Sequence, residues 1–472
     1  MRNSKFQFCV LLVIGFLFVI GLLWVTMRPQ ILRVFQGEST ERFGAGEAAP
    51  NVILILIDAL RADSLGCYGY ERETSPYLDA FAANNILFEN ARSQATCTFP
   101  SVNSMLTSRY PFHFVKLFKE REFGIPDDLP YLPEILKDNG FTTMAFSSSP
   151  IMRNTPSRDF QVMGYGRGFD IFEEYEWKDA SVINAAVRKR LRKISEPFFL
   201  FLHYMDPHDP YDPPEEFKQA FCTPYDDKDY IMRGDPNPIL DLIKEETMDL
   251  NLTKRDIQHL KDLYDAEVAF VDREIGIFLD HLSDLDYLEN SIIIICADHG
   301  EEFLEHKTVK HCMTVYEALV HVPLMMKIPS QGISGRRYAL VENMDVVPTI
   351  LDYSGIDQRG YDFQGTSLKP VIDKDEAIHS HSFCAQYNWR SVTDNRFKLI
   401  IQLNTGDIAL YDIRDDPGEK INLVDLEAEK ARELLRVLKE WISEEEAGLT
   451  QEQRIKLSEQ AVERLRALGY FK

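Results

Sequence analysis

A stretch rich in hydroxyl side chains, at residues 95–101, has the composition of a segment that holds a nucleophile. Pro100 favours the first turn of a helix, and the free amides of a helix start can face an anion. Thr98 is therefore predicted to lie just before a helix, with its hydroxyl directed at the group that those amides and a nearby metal bind. An ordinary helix cap uses the same residue types, so this stretch alone does not establish the chemistry.

Two distant segments end an apolar run on side chains that can bind a metal. One run is followed by Asp58, and a second, rich in isoleucine, is followed by Asp298 and His299. A continuous apolar run predicts a strand buried on both faces, and ligands of open α/β sheets bind beyond the carboxyl ends of such strands. Carboxylate oxygen and imidazole nitrogen suit a hard or borderline divalent cation. The sequence therefore predicts one divalent metal ion held by Asp58, Asp298 and His299, with Ca, Mg, Mn and Zn all left open.

The elements that must position these residues alternate between strands and helices. Strands are predicted at 142–147 and 198–203, and helices at 131–139, 180–194 and 254–282. This alternation predicts an α/β fold with a large mixed sheet flanked by helices. Short antiparallel strands and a charged helical tail follow, so the predicted divisions are a catalytic domain at 51–355, a smaller C-terminal α+β subdomain at 356–424 and a tail at 425–472.

The N-terminal part of the chain is predicted to be a membrane anchor. Residues 6–27 are almost wholly apolar and long enough to cross a hydrocarbon core, so 1–28 is interpreted as a transmembrane anchor and 29–50 as a polar linker. A cleaved signal peptide is the alternative, but the run exceeds the usual apolar region of a signal peptide. Positive charges flank both ends, and their balance narrowly favours an inner N-terminus and hence an extracytoplasmic catalytic domain.

The overall charge argues against a nucleic-acid partner. The 472 residues include 52 basic and 75 acidic side chains, for a net charge of −23. Long-range repulsion would oppose binding to a polyanion. The seven cysteines show no metal-finger spacing and by themselves establish neither disulfides nor a reducing compartment.

These segments, in their order along the chain, resemble the sulfatase family of the alkaline phosphatase superfamily. The resemblance lies in residues 57–70, 98–111, 202–211, 298–305, 314–324, 344–349, 410–419 and 463–470. It implies the large-sheet fold, a bound divalent metal and cleavage of a phosphate or sulfate ester. It also implies that His208, in a Pro-His-x-Pro-Tyr pattern, contacts substrate oxygens, and that His311, five residues before Tyr316, contacts the substrate or its leaving group.

The chain departs from the sulfatase pattern at the nucleophile and at the first strand. Sulfatases carry Cys-x-Pro-x-Arg, whose cysteine becomes formylglycine; aligned on Pro100, this chain has Thr98 and Val102 at the cysteine and arginine positions. Cys97 is one residue out of register and is predicted to be an unmodified thiol. Ala59 replaces the second of two consecutive aspartates. The chain thus resembles the threonine-nucleophile members, which include phosphodiesterases and extracytoplasmic phosphoglycerol or phosphoethanolamine transferases.

The residues and the resemblance together predict a membrane-anchored, metal-dependent hydrolase. Thr98 is the predicted metal-bound nucleophile, acting on a phosphoester or sulfate ester of a small molecule or a polymer, with the phosphoester favoured. A transferase, in which an alcohol replaces water, and a catalytically silent binding protein of the same fold are the alternatives. A second metal site at His379 and His381 is not favoured, because no Asp-x-x-x-His motif accompanies these residues.

Overall fold

The computed structural model describes residues 49–114, 122–155, 161–245, 251–329 and 332–447. In chain order, the strands are β1 Asn51–Ile57, β2 Ile86–Arg92, β3 Glu122–Gly124, β4 Thr142–Ser147, β5 Gln161–Met163, β6 Ile171–Glu174, β7 Phe198–Tyr204, β8 Ser291–Ala297, β9 Glu302–Phe303, β10 Val309–Lys310, β11 Leu324–Lys327, β12 Gly335–Glu342, β13 Ser382–Gln386, β14 Trp389–Thr393, β15 Phe397–Gln402 and β16 Asp407–Asp412. The helices are α1 Pro76–Asn84, α2 Thr98–Thr107, α3 Leu132–Asp138, α4 Ala180–Leu191, α5 Glu215–Phe221, α6 Asp229–Met232, α7 Asn237–Lys244, α8 Lys254–Asp284, α9 Glu317–Val320, α10 Val346–Tyr353, α11 Lys369–Lys374 and α12 Ala428–Ala447.

An eight-stranded sheet forms the centre of the fold, in the order β12-β2-β11-β8-β1-β7-β4-β6. Strand β11 runs antiparallel to β2 and β8, whereas β1 is parallel to both β7 and β8, so the sheet is mixed. Every residue of β1, β7 and β8 is buried, because helices cover both faces of the sheet and apolar side chains must point to each. The predicted α/β fold with a large mixed sheet is confirmed.

The register of the three central strands brings their polar ends together. Ile57 lies opposite Ala297 of β8 and Tyr204 of β7, so the residues that follow β1 and β8 leave the sheet side by side. His203 of β7 lies opposite Leu56. Since side chains alternate between the faces of a sheet, His203 lies on the same face as Asp58, two residues beyond Leu56.

Two hydrophobic cores sandwich the sheet. One contains apolar residues of α1, α4 and α8, and the other contains those of α2, α3 and α10. Helix α8 begins with a capping box in which Thr253 and Asp256 each accept a hydrogen bond from the other's backbone amide. Apolar residues at helical spacing along α8 are all buried: Leu260, Leu263, Val268, Val271 and Ile275.

The C-terminal part is a smaller α+β unit, as predicted. Strands β13-β14-β15-β16 form a four-stranded antiparallel sheet, and α12 packs against it through Leu434, Leu438 and Trp441. The predicted helical tail is observed as far as Ala447, and the remainder lies outside the described residues. The limits of the predicted domains remain predictions.

One sequence prediction needs adjustment, and another lies beyond the described residues. Helix α2 begins at Thr98 itself, so Thr98 is the first helical residue and Pro100 the third; the proline fits because amides of the first turn lack intrahelical acceptors. The segment between β7 and α8 contains the short helices α5, α6 and α7. The predicted membrane-spanning run at 6–27 falls outside the described residues, and no helix within the described ranges is long and apolar enough to cross a membrane.

Candidate active site

Four of the predicted site residues meet in one buried cluster at the carboxyl ends of β1 and β8. Thr98 Oγ1 lies 3.4 Å from Asp58 Oδ2 and 3.3 Å from His299 Nε2. His299 Nε2 also lies 3.4 Å from Asp298 Oδ2 and 3.7 Å from Asp58 Oδ1. Asp58, Asp298 and His299 are fully buried, and Thr98 is 5% exposed. The structure therefore brings together four residues that are far apart in the chain.

The cluster has the properties of a cation site. One ligand atom from each of Asp58, Asp298 and His299 lies within 4.8 Å of the others. Asp58 Oδ1 and Asp298 Oδ2 are buried and have no hydrogen-bond partner among the described residues. Two buried carboxylates with unpaired oxygens are costly unless a cation or a proton is shared between them. The residues present thus fit a divalent metal ion whose identity the donor set does not decide.

The electrostatics of the Asp58 and Asp298 carboxyl groups also favour a bound cation. Burial, together with the neighbouring Asp58 carboxylate, raises the pKa of Asp298 to about 6. Burial alone would also raise the pKa of Asp58, but the hydrogen bond with His203 and the electrostatic influence of His208 and His299 bring it below the ordinary value. The pair therefore resists carrying two uncompensated negative charges, which a bound cation would relieve.

His203 is a member of the cluster that the sequence analysis does not predict. Its Nε2 lies 3.1 Å from Asp58 Oδ2, and the side chain is fully buried. The contact orients the Asp58 carboxylate. The alternation of side chains along a strand could have revealed it, because His203 lies one residue before the end of β7 and Asp58 one residue after the end of β1.

Two further predicted residues, His311 and His208, form a second layer beside the cluster. The His311 ring stacks on His299 at 4.4 Å between centroids, and His208 lies edge-on to His311 at 4.8 Å. Trp177, half exposed, lies edge-on to His208 at 5.5 Å. Three imidazoles therefore run outward from the buried carboxylates toward an exposed indole, and this order defines the open side of the site.

The second layer has its own charged residues, which were not predicted. His311 Nδ1 lies 3.2 Å from Glu301 Oε1, and Asp209 Oδ2 pairs with Lys310 Nζ at 2.9 Å. This pair places Lys310 at the site. His379 instead pairs with Asp345 at 2.8 Å, and neither His379 nor His381 belongs to a metal-ligating group in the described part of the chain.

The prediction of a free thiol at Cys97 is wrong. Cys97 forms a disulfide with Cys312, a residue 215 positions away. The backbone amide of Cys312 also donates to the carbonyl of Thr96 at 2.7 Å, and the Thr96 hydroxyl donates to the carbonyl of Thr314 at 2.7 Å. The disulfide depends on two chain segments meeting in space, which cysteine spacing does not show. It joins the residue before Thr98 to the residue after His311.

The two departures from the sulfatase pattern have simple structural counterparts. Ala59 adopts a left-handed backbone conformation with φ of 56°, and its amide donates to Asp298 Oδ1 at 3.2 Å. Val102, at the position of the arginine, is fully buried in the core under α2. The backbone amide of Ala59 and the apolar packing of Val102 thus take the places of the charged side chains of the sulfatase pattern.

Comparisons with known proteins agree with the geometry. An arylsulfatase of Clostridium perfringens is 25% identical over 85% of this chain and 96% of its own length, and iduronate 2-sulfatase of Homo sapiens is 27% identical over 66% of each chain. A solved structure in complex with its substrate D-glucosamine-2-N,6-O-disulfate has a TM-score of 0.68 at 20% identity, covering 86% of this chain and 100% of its own. The phosphonate monoester hydrolase of Agrobacterium radiobacter has a TM-score of 0.66 at 17% identity, covering 84% and 95%. These structural likenesses show a shared fold.

Family profiles extend the comparison to most of the described chain. The profile of the Sulfatase family matches residues 50–356. The profile named N-sulphoglucosamine sulphohydrolase, C-terminal, matches residues 305–447. The first match covers more than half of the sequence and includes every predicted site residue, so the chain is an ester hydrolase that belongs to the sulfatase family.

Proposed function

We propose that this chain cleaves a phosphoester, with Thr98 as the nucleophile and a divalent cation beside it. The observation that carries the proposal is the position of Thr98 Oγ1, within 3.4 Å of both Asp58 Oδ2 and His299 Nε2 at the start of helix α2. A hydroxyl is a weak nucleophile unless a base or a cation activates it. Among the described hydroxyls, this one lies within the buried group of carboxylates and imidazole.

Asp58, Thr98, Asp298 and His299 are the residues that would hold the cation. When bound, such an ion lowers the pKa of a hydroxyl and offsets negative charge on the reacting group. The residues themselves have further tasks. His203 fixes Asp58, and the amide of Ala59 fixes Asp298, so the donor oxygens are positioned before the substrate arrives.

The reaction follows from this arrangement. Thr98 Oγ1 attacks phosphorus in line with the leaving group, so that an O–P bond forms as the ester O–P bond breaks. The Thr98 proton passes to Asp58 Oδ2, its nearest carboxylate oxygen. The leaving oxygen departs toward the open side, where His311 and His208 lie. Water then releases the phosphoryl group from Thr98, and positioning and electrostatics supply most of the acceleration.

A sulfate ester is the second candidate substrate class. The relatives named as sulfatases, and a related structure in complex with a sulfated glucosamine, favour it. The phosphoester is preferred because Thr98 stands where sulfatases carry the cysteine that becomes formylglycine, and because Cys97 is bonded to Cys312. A related phosphonate monoester hydrolase shares the fold. Transfer to an alcohol instead of water would use the same first step.

We also propose that the catalytic domain lies outside the cytoplasm, attached by the N-terminal apolar run. The run at 6–27 supports an anchor, and the disulfide supports an oxidising compartment. Protease added to intact cells should digest the chain beyond residue 51. Digestion that requires cell lysis would contradict this orientation.

Turnover by the purified full-length chain tests the proposed chemistry. We expect hydrolysis of an aryl phosphate or phosphodiester that depends on a divalent cation and is lost in Thr98→Ala. Activity on aryl sulfates only would favour the second class. No turnover of any of these esters, in protein that has bound metal, would favour a binding protein with the same fold.

A further inference from the structure

A group of exposed cations lies at the edge of the central sheet opposite the active site. Five of the six residues at 188–193, at the end of helix α4, are basic, and all five side chains are exposed: Arg188, Lys189, Arg190, Arg192 and Lys193. Because α4 leads into β7, this amino-edge cluster lies at the amino edge of the sheet, whereas the active site lies at the carboxyl edge. The seven residues of β7 separate the two edges by about 20 Å.

Three cations of the amino-edge cluster line a cavity between α4 and the outer strands of the sheet. Strand β6 is the edge strand, with β4 beside it, and the cavity next to them has a volume of about 580 Å³. Lys189, Arg190 and Lys193 contribute to its walls. The apolar part of the lining consists of buried and half-buried side chains: Met144, Ile171, Ala186 and Ile194. An amphiphile with a negative charge would match both parts of this lining.

The balance of charge leaves this cavity positive in a chain whose net charge is −23. Glu173 is the one carboxylate in its lining, and it pairs with Arg190 at 2.7 Å. Lys189 and Lys193 form no ion pair with any described residue. Cations at a helix C-terminus also complement the helix dipole, but that effect requires no cavity between them. Repulsion from distant carboxylates is screened beyond about 10 Å, so the two lysines dominate the local field.

The chain enters the catalytic domain beside the amino-edge cluster. Asn51, the first residue of β1, donates from Nδ2 to Glu196 Oε2 at 2.8 Å, and Glu196 follows Lys193 by three residues. The same asparagine accepts from the amide of Phe198 at 3.1 Å. Residues 29–50, the predicted linker, precede this point and span at most about 75 Å when fully extended. The cluster is therefore within reach of a membrane that holds the apolar run at 6–27.

We propose that this cavity binds the phosphate-bearing headgroup of an anionic phospholipid, so that the catalytic domain docks with its amino edge on the membrane. Lysine and arginine side chains near a membrane surface are attracted to anionic lipids over about a Debye length. The apolar part of the cavity lining would contact the glycerol and the first methylenes of the lipid. The proposal rests on the proposed membrane anchor. It directs the open side of the active site away from the bilayer, so the ester substrate would arrive from solution.

Amide hydrogen exchange in nanodiscs tests the docking. The full-length protein is reconstituted into nanodiscs of phosphatidylcholine, with or without phosphatidylglycerol, and co-elution with the uncharged nanodiscs on gel filtration reports the anchor by itself. We expect slower exchange in peptides from 186–197 when phosphatidylglycerol is present, and loss of this protection at high salt. The double variant Lys189→Glu with Lys193→Glu should lose it as well.

A matched pair on another helix controls for the change in charge. Arg432→Glu with Arg436→Glu, at exposed positions of α12, alters the net charge equally and should keep the protection of 186–197. Exchange in the buried strands β1 and β8 should be the same in all three proteins, which shows that each variant is folded.

The outcomes separate failure of the docking from failure of the proposed function. Equal exchange of 186–197 in the two kinds of nanodisc, or protection that persists in Lys189→Glu with Lys193→Glu, would overturn the docking and leave the anchor intact. A chain that does not co-elute with phosphatidylcholine nanodiscs would overturn the anchor, and the docking with it. Protection by a soluble heparin oligosaccharide but not by phosphatidylglycerol would assign the cavity to a soluble polyanion and overturn the lipid. None of these readouts involves turnover, so failure of the proposed ester hydrolysis is a separate result.

Discussion

Reduction of the Cys97–Cys312 disulfide should both destabilise the domain and impair turnover. The bond closes a loop of 215 residues between the nucleophile segment and the loop that carries His311. Two hydrogen bonds join the same segments: the Cys312 amide donates to the Thr96 carbonyl, and the Thr96 hydroxyl donates to the Thr314 carbonyl. Within the described residues, the disulfide is therefore the one covalent side-chain link between these two segments.

The size of the stability effect follows from the length of the loop. The chain-entropy relation for a loop of this length gives about 5 kcal/mol of free energy of unfolding. Unfolding entropy is about 2.1 cal/mol/K per residue, so a domain of about 400 residues has a total unfolding entropy of about 0.8 kcal/mol/K. Loss of about 5 kcal/mol should then lower Tm by about 6 °C. Misplacement of Thr98 by a fraction of an ångström should lower kcat by about tenfold or more.

Differential scanning calorimetry and turnover, each with and without reductant, measure these effects. Cys97→Ser with Cys312→Ser should reproduce the reduced protein and should no longer respond to reductant. Cys222→Ser, a half-buried free cysteine away from the bond, is the matched control and should behave as the wild type. Peptide mapping without reductant should show Cys97 cross-linked to Cys312.

Two results would refute this reasoning. An aldehyde at Cys97, with Cys312 free, would show that the formylglycine register applies after all. Unchanged Tm and kcat, in protein whose thiol count has risen by two on reduction, would show that the bond neither constrains the unfolded chain nor positions Thr98.

Three other perturbations test the site and the stability of the domain. Thr98→Ala should lower kcat by about a thousandfold or more, whereas Thr98→Ser should keep part of it because the oxygen remains; equal activity of all three proteins would exclude Thr98 as the nucleophile. Asp298→Ala should remove most of the metal of the first cluster and nearly all activity while the fold persists, and elemental analysis that shows unchanged metal content would contradict the ligand assignment. Despite burial, which acts the other way, the pair with Asp345 raises the pKa of His379 to about 9. The stabilisation by this pair is therefore complete below the unfolded pKa of about 6.5 and is lost as the pH rises through about 9. Denaturant titrations should show a smaller fall in the free energy of unfolding over that range in His379→Gln than in the wild type.

The first cluster was predictable because its residues come immediately after strands in the sequence. Asp58, Asp298 and His299 each come after an uninterrupted apolar run, and such runs become central parallel strands whose carboxyl ends share one edge. Thr98 was predictable from the resemblance and from the helix start at Pro100, although the helix begins two residues earlier than the proline indicates.

The residues of the second layer were only partly predictable. His208 and His311 were expected at the site because of the family resemblance, which gives residue roles and no distances. The place of Asp209 at the site depends on the pairing of one of its oxygens with Lys310. Local sequence does not contain this information, because the lysine comes from a strand about a hundred residues further along the chain.

The sequence by itself determined the elements and the residues at their ends, since hydrophobic periodicity and helix capping are local properties of the chain. Only the tertiary structure decided which of those ends meet. The contact of His203 with Asp58 depends on the register of β7 against β1, and the Cys97–Cys312 bond depends on a loop closing over 215 residues. Register and loop closure are set by the packing of the whole domain, because many weak apolar contacts across both faces of the sheet must be satisfied together.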